Sequence, residues 1–134
     1  MPERERRVLV VDDDASIQGF LAEALADEGY SVRTASNGRE ALSILETWRP
    51  DIILLDLMMP EMDGWGFRVQ QRTMLGVANV PVIVLSATRD LNAKAAELEP
   101  AQVFAKPFDL DALLSTIDEI TTQVRQDAGR NGTQ

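Results

Sequence analysis

Apolar runs in this chain repeatedly stop at a residue able to handle charge: VLVV at Asp12 and Asp13, IILL at Asp56, VIVL at Ser86 and VFA at Lys106. The longer runs are continuous and rich in branched residues, which is how strands covered on both faces of a parallel sheet read. In such a sheet the carboxyl ends of the strands lie side by side, and the crevice beyond them is where open α/β sheets take ligands. One rim would then gather carboxylates, a hydroxyl and an ammonium. That set can hold a divalent cation, present a nucleophile and neutralise a phosphoryl group.

The rest of the pattern supports this architecture. Val8 to Val11, Ile52 to Leu55 and Val82 to Leu85 are the clear strands, with Ser31 to Ala35 and Val103 to Ala105 weaker. Between them, Ile17, Phe20, Leu21, Ala24 and Leu25 repeat at helical spacing, as do Leu110, Leu113, Leu114 and Ile117. Ala41, Ile44, Leu45 and Trp48 mark another helix ending before Arg49 and Pro50, and the helix after Gly64 is patterned through Phe67 and Met74. Leu91, Ala95 and Leu98 form the faintest stripe. The alternation predicts βα units whose right-handed crossovers place helices on both faces of one parallel sheet. A single domain over residues 1–124 is expected, followed by a disordered tail over 125–134, because RQDAGRNGTQ has lost its periodicity.

Composition narrows the chemistry. A chain of 134 residues, 45% apolar, is sized for one core. It has no Cys and no His, so disulfides, thiolates, the usual zinc sites and the commonest general base are missing. Its chemistry rests on oxygens and lysine. The net charge of −9 opposes direct nucleic-acid binding, which needs clustered Lys and Arg, and points to proteins or cations as partners. No run reaches the length of a membrane span, and MPERERR leads straight into a strand rather than a signal-peptide core, so no membrane contact and a cytoplasmic location are expected.

At the site, Asp12, Asp13 and Asp14 follow the first strand, and neighbouring carboxylates can offer oxygens to Mg²⁺. An acidic triplet before a helix also serves as its cap, and Asp14 or Ser16 is expected to do so. Asp56 carries more weight: a carboxylate inside IILLDLMM is shielded from water, so its charge needs a cation or a function. A structural ion pair with Lys106 is the plain alternative, compatible with function. Two unit charges 4 Å apart interact by about 4 kcal/mol at an effective dielectric of 20, so clustered carboxylates need a cation to stay ionised together. Ser86 alone would only bond to backbone. Lys106 alone would be a surface lysine, but an ammonium between VFA and PF is well suited to phosphate.

At these residues the chain resembles the receiver domain of two-component response regulators, of the single-domain chemotaxis-regulator-like type. The matching motifs are VLVVDD, DLMMPEMDGW, VIVLSA and AKPF, within a match running from Arg7 to Val124. The resemblance implies a flavodoxin-like α/β fold with five parallel strands in order 2-1-3-4-5. It implies that Asp56 accepts a phosphoryl group from a phosphohistidine on a sensor histidine kinase or histidine phosphotransfer protein. Asp13, Asp56 and the Met58 carbonyl would ligate Mg²⁺, with Asp12 reaching it through water, and Ser86 and Lys106 would bind phosphoryl oxygens. The chain would be a phosphoacceptor rather than an enzyme, assisting its own phosphorylation and slow autodephosphorylation. Phosphorylation would draw the Ser86 hydroxyl inward and change the face formed by the fourth helix, fifth strand and fifth helix, where a downstream protein docks.

Met58, Ala87, Thr88, Val103 and Phe104 fall at positions that tune or couple such a switch. Many receivers place an aromatic three residues before the lysine, where this chain has Val103, with Phe104 next; alternation points the two oppositely. Glu99 and Pro100 stand where a glycine often precedes the fifth strand, and Lys106-Pro107 is expected to be cis. Two other readings compete. Asp12, Asp14 and Ser16 can be read as the Asp-x-Asp-x-Thr-like motif of a haloacid dehalogenase-type, magnesium-dependent phosphatase using Asp12, which leaves Asp56 without a purpose. A scaffold that keeps the fold without phosphate is the other.

Overall fold

The computed structural model describes residues 5–57, 64–86 and 98–132. The chain runs β1 (Arg7–Val11), α1 (Ala15–Asp27), β2 (Ser31–Ala35), α2 (Gly38–Leu45), β3 (Ile52–Asp56), α3 (Gly64–Gln71), β4 (Val82–Ser86), β5 (Gln102–Ala105) and α4 (Leu110–Gly132). The helix expected around Leu91 to Leu98 falls almost wholly outside the described residues. All strand pairs are parallel, in the order β2-β1-β3-β4-β5. The chain steps from β1 to β2 on one side and returns to β3 on the other, so the topological switch point lies between β1 and β3.

Strand alternation divides the core in two. Leu9, Val11, Ile53, Leu55, Val82 and Val84 pack with Ala41 and Leu45 of α2 and Phe67 of α3. Val8, Val10, Ile52, Leu54, Ile83 and Leu85 pack on the other face with Leu21 and Leu25 of α1 and Leu113 and Ile117 of α4. Because each central strand buries both faces, neither side can slip by one residue without exposing its partner set.

Short polar contacts set the helix entries. The Asp14 carboxylate accepts the Ser16 and Ile17 N–H groups at 2.9 and 3.2 Å, capping α1. Asn37 does the same for α2 through the Glu40 N–H at 2.8 Å, and Asp109 for α4 through the Asp111 N–H at 2.9 Å. At the sheet's amino end, the buried Asp51 carboxylate accepts the Arg7 N–H at 2.8 Å and pairs with Arg125 at 3.5 Å. Arg68, also buried, donates to the Leu98 carbonyl at 3.0 Å and the Gln71 amide oxygen at 2.7 Å. Burial, with Arg72 nearby, pulls its guanidinium below the usual arginine range.

Several sequence expectations are refined. α4 continues to Gly132 rather than ending at Val124, because loss of apolar periodicity removes a buried face but not the helical backbone, and no proline interrupts the segment. Trp48 lies beyond the end of α2, where its buried ring has the Arg7 and Arg33 guanidinium carbons 5.5 and 5.1 Å from its centroid. Met74 likewise lies past α3. Glu99, at the position where glycine is common, takes φ of +50° and pairs with Arg72 at 3.5 Å. Lys106-Pro107 is cis, as expected.

Gly64 opens α3 against the end of β3. A Cβ placed on it would lie 2.9 Å from the Leu57 Cα and 3.1 Å from the Asp56 carbonyl oxygen, so no larger residue fits without moving backbone. Gly64→Ala is expected to lower unfolding stability by about 1–3 kcal/mol in urea titrations; unchanged stability would contradict this close approach.

Candidate phosphoryl and metal site

The carboxyl ends of β1 and β3 flank the switch point, and they bring Asp12, Asp13 and Asp56 together. One carboxylate oxygen of each lies within 4.8 Å of the others. Asp12 is fully buried, Asp56 nearly so, and Asp13 is exposed. Successive positions at a strand end face opposite ways, so one of the two turns into the protein and the other to its mouth. Asp14 is spent on the cap of α1 and is not in this cluster.

Lys106, just past β5, closes the site across the sheet. Its Nζ lies 2.9 Å from Asp12 Oδ2 and 3.8 Å from Asp56 Oδ1, and its side chain is largely buried. The other Asp12 oxygen, Oδ1, accepts the Asp14 N–H at 2.9 Å. Both Asp12 oxygens are thereby engaged, while the Lys106 contact to Asp56 is an ion pair rather than a hydrogen bond. Ser86 ends β4 beside Ala105, so its backbone sits one residue from the level of Lys106. Met58, Ala87 and Thr88 lie outside the described residues. Val103 packs against the α2/α3 side and Phe104 against the α1/α4 side, as alternation predicts.

The donor set fits Mg²⁺: all ligand atoms on offer are oxygens, and three carboxylates against one ammonium leave net negative charge in a partly dehydrated place. A feature with no periodic signature in the sequence also emerges. The Gln18 amide of α1 donates to the Asp12 carbonyl, to the Ala35 carbonyl at 3.0 Å and to the Ser36 hydroxyl at 3.1 Å.

A doubly wound five-stranded sheet with an acidic pocket and a lysine at its switch point defines an α/β domain of the receiver type. The chain belongs to the response regulator receiver domain family, whose model matches residues 8–118. It is 36% identical over 125 residues to response regulator MprA of Mycolicibacterium vanbaalenii, covering 92% of this chain and 53% of that one. It is 37% identical over 133 residues to the probable transcriptional regulator ycf27 of Porphyra purpurea, covering 92% and 54%. The chain thus spans about half the length of these curated relatives. Among solved structures, the receiver domain of Francisella response regulator 1452 superposes with a TM-score of 0.80 at 30% identity, covering 89% of this chain and 98% of that one. Chemotaxis response regulator CheY4 of Vibrio cholerae gives 0.80 at 31%, covering 87% and 99%. Receiver domains are phosphoacceptor signalling domains that bind Mg²⁺ at an acidic pocket, not enzymes in the ordinary sense. Among the described residues no helix is long and apolar enough to cross a membrane.

Crowded like charges make a specific demand. Asp13→Asn removes one of them, so in EDTA the variant is expected to melt roughly 2–8 °C above the wild type and to gain less from added Mg²⁺. A melting point unchanged in EDTA, with full Mg²⁺ stabilisation retained, would contradict the geometry.

Proposed function

We propose that Asp56 is the phosphoacceptor and that Asp12, Asp13 and Asp56, with the Met58 carbonyl, hold Mg²⁺, Asp12 acting through water. The observation that carries this reading is the convergence of three carboxylates within 4.8 Å, with one ammonium reaching two of them. Asp12 is committed to Lys106 and to the Asp14 N–H, and Asp56 lies 3.8 Å from the same ammonium. An Asp56 oxygen attacks phosphorus, an O–P bond forms as the N–P bond of a phosphohistidine breaks, and the imidazole leaves on the donor protein. Lys106 neutralises charge gathering on the transferring oxygens, and Ser86 donates to one of them. Bound Mg²⁺ supplies further charge neutralisation and orientation.

On this reading the partners are a sensor histidine kinase or histidine phosphotransfer protein in the cytoplasm, and a downstream protein that docks on the face formed by the segment after β4, β5 and α4. No nucleic-acid contact is assigned to this strongly acidic domain. Phosphorylation shifts the population of that face, and the Asp56 phosphate is lost slowly because apolar Met58 hinders the attacking water. The haloacid dehalogenase-type reading needs Asp14 in the site, whereas Asp14 caps α1.

Incubation with Mg²⁺ and acetyl phosphate, read on a phosphate-affinity gel, tests the assignment. Wild type is expected to give a shifted band that Asp56→Asn abolishes. Labelling that survives in Asp56→Asn but disappears in Asp12→Asn would favour the phosphatase, and no labelling of any variant would favour the scaffold. In a chase after donor removal, Met58→Asn is expected to lose its label several-fold faster than wild type; an equal or slower loss would remove the assigned role of Met58.

A further inference from the structure

We infer that Gln18 is a positioning residue for the metal-binding acids, a role that rests on the receiver reading above. The peptide joining Asp12 to Asp13 is the hinge on which both carboxylates hang. Its fixed point is the Asp12 backbone. The Asp12 N–H donates to the Ala35 carbonyl at 3.0 Å, and the Gln18 amide donates to the Asp12 carbonyl and, at 3.0 Å, to that same Ala35 carbonyl. One side chain on α1 therefore ties the last residue of β2 to the first residue of the acidic loop. The Ser36 hydroxyl, 3.1 Å away, completes its surroundings.

The Asp12 side chain is held by Lys106 and the Asp14 N–H, but Asp13 is exposed, and among the described residues no side-chain hydrogen bond reaches it. What aims Asp13 is the orientation of the peptide plane before it. Gln18, half-buried on α1, fixes that plane by holding its carbonyl. Loss of the amide frees the plane to rotate, so the Asp13 oxygen spends less time where a cation needs it. Outer partners of this kind change metal affinity without touching the metal.

A side chain that merely fastened α1 to the sheet would alter stability alone. Mn²⁺ serves as the probe, with free ion counted by electron paramagnetic resonance, on the wild type, Gln18→Leu and Gln18→Met. Both variants keep the stem and remove the donor. The expected result is Mn²⁺ affinity weaker by roughly 3- to 10-fold. With Mg²⁺ and acetyl phosphate, the half-saturating Mg²⁺ concentration should rise by a similar factor, while the maximal rate at saturating Mg²⁺ stays within about twofold of wild type. If either variant folds, as judged by circular dichroism, and binds Mn²⁺ as wild type does, the positioning role is overturned, even if its melting point has fallen. If wild type itself binds no Mn²⁺, the metal-site reading falls, and this inference with it.

Discussion

Mutual repulsion among Asp12, Asp13 and Asp56 is the constraint to which the rest of this molecule answers. At separations within 4.8 Å, each pair of ionised carboxylates repels by at least about 3.5 kcal/mol at an effective dielectric near 20. A fold that brings them together must supply compensation from elsewhere. Lys106 supplies part of it from the opposite side of the sheet, at a sequence separation of 94 residues from Asp12. The remainder is a standing demand for a cation, which Mg²⁺ would meet.

The sheet makes the compensation geometric. Parallel pairing sets β1 beside β3, β3 beside β4 and β4 beside β5, so the carboxyl ends of four strands arrive at one rim. Burial on both faces fixes the register, since a one-residue slip would turn Leu54 and Leu55 to the wrong cores. The contacts at the other end of the sheet serve the same end. Asp51 joins Arg7 and Arg125, and Arg68 holds the Leu98 carbonyl, so the amino ends of the strands and the last helix are tied down far from the charged rim.

Much of this was legible in the residues. The strands announced themselves because β3 and the centre of β1 are buried on both faces, which leaves apolar runs with no polar alternation to confuse them. Asp56 and Lys106 were legible because a charge lodged beside such a run has to be explained. Boundaries were less so. Trp48 follows the apolar spacing of α2 yet lies beyond it, since a ring large enough to reach back into the core need not sit on the helix. Gln18 was not legible, because a polar residue on an amphipathic helix reads as solvent-facing until the strand ends it touches are known. A pair of identical letters does not say which of Asp12 and Asp13 turns inward; only the family resemblance gave the two different roles. Glu99 at φ +50° could be suspected only from the glycine it replaces.

The central claim is that this rim activates Asp56 and no other acid. It is tested most directly by trapping the phosphorylated protein with borohydride, which reduces an acyl phosphate to the alcohol, and mapping the product by peptide mass spectrometry. The account predicts homoserine in place of Asp56, formed only when Mg²⁺ and phosphodonor are both present. Conversion at Asp12 or Asp13, or none in protein that carries phosphate, would contradict it.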